Sequence, residues 1–265
     1  MTAELLNELD IKNELTNNTV REKYLGQIGA RLIVTAVDSD AAIEIAIREV
    51  RKSLDVVNFF ACQGYLPVSS VYLPWEAQGL IEQFVGRQKS WGMIIHGRIK
   101  GAVVPVDLRA LDQLDSFRRA LNLISQENSN GFEKRLISAL QWAGRASIQE
   151  RSDQAFLFYA ISLENLLLGT KRETELSYRL SLYGAHLFGD SRKSRMETHE
   201  RLKNLYRLRS GIVHAGSALI GETELALIRH YAKRGILMLL LDEAFSKMVT
   251  EEDLDNYFKS RVLGQ

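Results

Sequence analysis

The sequence is poor in several of the features by which protein classes announce themselves. A single cysteine, Cys62, occurs in 265 residues; this excludes a disulfide framework and any paired-cysteine zinc site, and predicts a reducing, intracellular home. Apolar runs such as Ile236–Leu241 fall far short of the roughly 20 residues needed to cross a bilayer, so no membrane partner is expected. The first ten residues carry Glu4, Glu8 and Asp10 among leucines, without a basic start or a long apolar core, and do not read as a signal peptide. Charge of one sign is also missing. Lys+Arg number 34 against 33 Asp+Glu, for a net charge of +1, so any nucleic-acid site must be local. The five histidines, His96, His186, His199, His214 and His230, form no HExxH pair, and there is no zinc spacing or calcium loop; neither metal nor cofactor is expected. No GxGxxG, P-loop or GxSxG is present, which removes the usual nucleotide and serine-hydrolase signatures.

Proline is scarce and one-sided. Pro67, Pro74 and Pro105 are the three in the chain, and the proline-free remainder, with its helical periodicity, predicts a helical domain, because proline costs about 3 kcal/mol inside a helix. Before it, Arg31–Val37 is rich in Ile, Val and Thr and reads as a strand, followed by Asp38, Ser39 and Asp40 as helix caps. Ile43, Ile47, Val50, Leu54 and Val57 then recur at helical spacing. Met93–Ile99 and Ala102–Val106 read as further short strands. The expectation is an α+β domain over 1–128, then an all-α helical bundle over 129–265. The polar segment Ser125–Gly131 serves as linker. Helices are placed near 131–149, 152–168, 173–188, 192–213 and 222–247, with an amphipathic tail near 251–261.

The chemistry concentrates in SRKSRMETHERLKNLYRLRSGIVHAG, residues 191–216. Arg192, Lys193, Arg195, Arg201, Lys203, Arg207 and Arg209 face only Glu197 and Glu200, a net +5 on one helix, where a charge run is ordinarily a solvated face. Gly211 interrupts the helix at a cost of about 1 kcal/mol relative to alanine, which predicts a bend or a close approach. At 100° per residue, Ser210 and His214 share a face, while Arg209 lies about 140° from His214. One straight helix therefore does not aim both at a point; a bend at Gly211 or a two-fold axis is needed.

Arg209-Ser210-Gly211-Ile212-Val213-His214 fits the R-x(4-6)-H signature of HEPN domains, and LYRLRSGIVHAG, preceded by AFLFYAISLENLLLG and ELSYRLSLYGAHLFG, resembles the Apea-like branch of that family over about 130–250. The resemblance implies a dimeric, metal-independent endoribonuclease of the kind found in prokaryotic defence and toxin systems. Arg209 would hold the scissile phosphate and His214 would move the proton. Many members carry Asn, Asp or His where this chain has Ser210. Where silenced members carry a modified tyrosine two residues after the histidine, this chain has Gly216, so that control is not expected. The residue types suit the chemistry: histidine exchanges protons near neutral pH, and arginine offers a permanent, forked charge to phosphate.

Glu164 stands mid-way along the apolar face of the helix before this segment, where a carboxylate needs a cation. Arg209 is the candidate, with Arg179 and Arg145 as structural alternatives. The expected catalytic set is Arg209, His214, Ser210 and Glu164. RNA contacts fall to Arg192, Lys193, Arg195, Arg201, Lys203 and Arg207. The partners expected are RNA, a second copy of the chain, and a regulatory protein or trigger on the N-terminal domain, all in the cytoplasm. The rival reading is a non-catalytic HEPN module that binds RNA, nucleotide or protein as a scaffold.

Overall fold

The computed structural model describes residues 3–6, 29–32, 35–61, 81–85, 91–95, 108–169, 175–215 and 219–264. Their elements run β1 (Ala3–Leu6), β2 (Gly29–Leu32), α1 (Ser39–Ala61), β3 (Ile81–Val85), β4 (Trp91–Ile95), α2 (Leu108–Asp112), α3 (Asp115–Ser125), α4 (Gly131–Ala146), α5 (Ser152–Leu168), α6 (Leu176–Phe188), α7 (Arg192–Ala215), α8 (Glu222–Leu241) and α9 (Glu251–Val262). No helix among the described residues is long and apolar enough to cross a membrane.

The fold is all-α, which corrects the expected α+β N-terminal domain. The strands form two separate antiparallel pairs, β1 with β2 and β3 with β4, of four and five residue pairs. A two-stranded pair buries too little to act as a sheet layer against helices. Of the Arg31–Val37 run, Arg31 and Leu32 lie in β2, residues 33 and 34 lie outside the described residues, and the chain bends at Val37 and Asp38 into α1. Of Met93–Ile99, Met93–Ile95 belong to β4, and Ala102–Val106 lies outside the described residues.

Packing divides the chain into one unit of Met1–Arg51 with Tyr72–Gly101 and another of Lys52–Val71 with Ala102–Gln265. Residues placed before the expected boundary at 128 therefore belong to the helical unit. Val56, Phe59 and Phe60 of α1 and Phe117, Ala120 and Leu123 of α3 are core residues of that unit. Phe60 meets Phe117 edge to face at 5.4 Å. The expected linker is the short α3–α4 connection.

Local chemistry sets the helix starts. Asp38 Oδ1 accepts from Ala41 N at 2.8 Å at the start of α1. Asn130 and Glu133 form a capping box at α4, as Thr250 and Asp253 do at α9, each satisfying amides the first turn leaves free. α5 ends at Gly169, whose φ of 67° is open to glycine and strained for other residues.

α5 is the hub of the bundle. Phe156, Tyr159, Leu163, Leu166 and Leu167 are all at most 2% exposed, each such side chain contributing roughly 1.5–3 kcal/mol on burial. Ser162 Oγ donates to Ala139 O of α4 at 2.7 Å. Arg135, buried on α4, staples three helices: its Nε donates to Leu166 O at 3.0 Å, and its Nη1 donates to Glu251 O at 3.0 Å and to Asp255 Oδ1 at 3.1 Å. It thus meets carbonyls that the end of α5 leaves unpaired. α1 and α4 touch through Gly144, where an added Cβ would stand 2.0 Å from the Asp55 carbonyl oxygen. Beside it, Arg145 Nε pairs with Asp55 Oδ2 at 3.0 Å.

Candidate nucleic-acid interface

α7 carries the site. Ser191 and Ser194 begin it by reciprocal hydrogen bonds at 3.2 Å, and Ser194 Oγ donates to Asp190 at 2.9 Å. Its inner stripe, Thr198, Leu202, Leu205 and Ile212, is buried. The opposite face is charged. Arg192, Lys193, Lys203 and Arg207 are exposed, and Arg207 Nη1 donates to Asn204 Oδ1 of its own helix at 3.2 Å. Arg201 is exposed and lies 3.8 Å from Glu197. Arg195 departs from the set: half-buried, it donates from Nε to Gly189 O at 3.2 Å, joining α7 to the end of α6.

The helix runs unbroken through Gly211 to Ala215, and a Cβ at Gly211 would meet nothing within 4 Å. The glycine therefore marks neither a break in the helix nor a close approach, contrary to expectation. By the periodicity of this uninterrupted helix, Arg209 and His214 stand apart. His214 is exposed in the last turn, on the same outer stripe as Lys203 and Arg207, with the partly buried Ser210 about 40° away by helical geometry. Arg209 points inward.

What Arg209 meets is Glu164 of α5. Arg209 Nη2 donates to Glu164 Oε2 at 3.2 Å, and Nε stands 2.8 Å from Oε1 as a charge contact without hydrogen-bond alignment, so one hydrogen bond and one close charge contact hold the guanidinium against the carboxylate. The side chains are 24% and 19% exposed, so the pair is neither sealed nor free. Arg145 is instead paired with Asp55, and Arg179 lies over the Tyr183 ring at 5.5 Å. Burial pushes the Glu164 carboxyl above its ordinary range, while the Arg209 charge and hydrogen bond pull it back only in part.

Tyr206 belongs to the same group and escaped the sequence reading. The Arg209 guanidinium lies 5.8 Å from its ring centroid, within reach of a cation–π contact, and burial with the nearby Glu164 raises its hydroxyl pKa. The signal was available: Tyr206 precedes Arg209 by three residues, a spacing that makes helix neighbours. Beneath them lies an apolar cavity of about 10 Å³ lined by Leu163, Leu202, Leu205 and Tyr206, among others, a space of about one water. The arrangement is a charged surface over a packed core, suited to an extended polyanion rather than an enclosed small molecule. Among the described residues, no group of three His, Cys, Asp or Glu is placed to hold a metal ion. Comparison with protein-family models, curated proteins and solved structures finds no match to this chain.

Proposed function

We propose that the helical unit is a metal-independent endoribonuclease of the HEPN type, cytoplasmic and active as a homodimer. The observation that carries this reading is the Arg209–Glu164 pair. An arginine of an R-x4-H sequence is held by a carboxylate through one hydrogen bond and a close charge contact, about a quarter open to solvent, beside a helix face on which Arg192, Lys193, Lys203 and Arg207 are exposed. One guanidinium nitrogen, Nη2, donates to Glu164, leaving other N–H donors of the fork for phosphate oxygens. His214, exposed in the last turn of α7, supplies the proton transfer that attack by a 2′-hydroxyl requires. Because Arg209 and His214 diverge by about 140° on one straight helix, a second copy must bring the complementary member of each pair. Lys203, Arg207, Arg192 and Lys193 supply salt-dependent backbone contacts. A regulatory protein or trigger acting on the N-terminal residues completes the proposal.

The second reading, a non-catalytic RNA-binding module, draws on the same contact: Glu164 offsets the Arg209 charge, and in such a module that pairing would be purely structural. Purified full-length protein incubated with tRNA, mRNA and rRNA in EDTA separates the two. The enzyme leaves 2′,3′-cyclic phosphate and 5′-hydroxyl ends and spares a strand lacking the 2′-hydroxyl at the cut. Arg209→Ala and His214→Ala each lose about 10²-fold or more in rate, and only Arg209→Ala also weakens binding. RNA bound without cleavage in every substrate favours the module.

A further inference from the structure

A second cluster of cations lies at the other end of α7, roughly 28 Å from His214 at 1.5 Å per residue counted from Arg195. The rings of Tyr183 on α6 and Phe258 on α9 stack with centroids 4.8 Å apart. One turn further along each helix stand His186 and Arg261. Arg195 reaches the same end of α6 through its bond to Gly189 O. Burial, then the charges of Arg195 and Arg261, hold the His186 imidazole below its ordinary pKa. From α8, the Arg234 guanidinium lies over the Phe188 ring at 5.8 Å.

Cations at a helix C-terminus commonly meet its open carbonyls and its negative dipole end. Only Arg195 is used that way here. Arg261 lies over the Tyr257 ring at 5.0 Å and is exposed, while His186 Nδ1 is buried without a hydrogen-bond partner. The acid of the α6–α7 turn, Asp190, is engaged by the Ser194 hydroxyl. Among the described residues, no carboxylate pairs with Arg195, Arg234 or Arg261 within 4 Å. Such a set of like charges, unrelieved by an acid, is stabilised by an anion with several oxygens, and two guanidinium forks with an imidazolium match the donors that a tetrahedral phosphate accepts.

We propose that His186, Arg195 and Arg261 form a phosphate-binding site at the junction of α6, α7 and α9, distinct from the Arg209–His214 region. The bound group is either free phosphate or a phosphate of an RNA backbone. Binding offsets the repulsion between the three cations and so draws a proton onto His186, making the site tighter at pH 6 than at pH 8. This proposal stands whether or not the protein cleaves RNA.

The test follows the His186 ring signals of the full-length chain by NMR through a pH titration, assigned with His186→Gln. With saturating inorganic phosphate the His186 pKa should rise by about one unit, and in chloride of matched ionic strength it should rise much less, since salt merely screens. Arg261→Gln, at an exposed position, should abolish the difference. An RNA oligomer without terminal phosphates that reproduces the rise identifies the backbone as ligand; a rise with phosphate alone identifies the free anion. The proposal is overturned by an equal rise in chloride, by no rise with either ligand, or by a phosphate response that survives Arg261→Gln.

Discussion

Replacing Glu164 by glutamine keeps the shape of the side chain and one acceptor for Arg209, and removes only the charge. Breaking a fully buried ion pair costs about 3–5 kcal/mol because the partner is stranded in low dielectric, whereas exposed pairs contribute about 0.2–1 kcal/mol. With the Arg209 side chain 24% exposed, the remaining charge keeps contact with water, and glutamine retains one hydrogen bond. The expected change at neutral pH is within about 1 kcal/mol, a shift in Tm of at most about 2–4 °C for a domain of this size, since burial already disfavours the charged form of Glu164 in the fold. Its pH dependence has a defined sign. Because burial raises the Glu164 carboxyl in the folded state, ionising it costs more there than in the unfolded chain. Wild type therefore gains stability relative to Glu164→Gln as pH falls from the raised pKa through the ordinary carboxylate range. On RNA the effect is disproportionate, since a loosened Arg209 misplaces the phosphate and such misplacement costs up to about 10²-fold in rate. Melting curves at several pH values, beside cleavage rates at fixed RNA concentration, check both parts. Unchanged cleavage, whatever the Tm, would refute the positioning role and leave Glu164 as a structural partner.

Two further predictions concern the frame that holds the site. Gly144→Ala should destabilise the bundle by about 1–3 kcal/mol, read from the denaturant midpoint, because its Cβ would lie 2.0 Å from the Asp55 carbonyl oxygen and α1 would have to shift; a gain, as helix propensity alone would give, would contradict the α1–α4 contact. Asp255→Ala should cost about 3–5 kcal/mol in a thermal melt, since it strands the Arg135 guanidinium, whose side chain is 2% exposed; a loss below about 1 kcal/mol would show that Arg135 is satisfied by carbonyls alone.

The helices from Gly131 on were legible from their periodicity and the absence of proline, and four of them also carry their own punctuation: Asn130 with Glu133, Gly169, Ser191 with Ser194, and Thr250 with Asp253. The N-terminal fold class was not. β-branched runs express local preference, but a sheet layer requires more strands than the isolated two-stranded pairs found here, in which Arg31 and Leu32 meet only β1, and α3, whose Phe117, Ala120 and Leu123 are core, was hidden by its position before the polar connection. A carboxylate on an otherwise apolar helix demands a cation, so a partner for Glu164 was foreseeable, but the choice of Arg209 over Arg145 and Arg179 depends on helix packing. The divergence of Arg209 and His214 follows from 100° per residue and needed no coordinates. Gly211 was misread because glycine in a helix signals close approach only where a neighbour exists, and here none lies within 4 Å.

The central claim, that each active site takes Arg209 from one copy and His214 from another, is tested most directly by complementation. Arg209→Ala and His214→Ala proteins, each inactive alone, are mixed, allowed to exchange subunits, and assayed on RNA in EDTA. A heterodimer then holds one intact site and one doubly altered site, and since heterodimers form about half of a freely exchanged population, activity should recover to about a quarter of wild type. A mixture no more active than its components, with heterodimers present by mass spectrometry, would contradict the shared site.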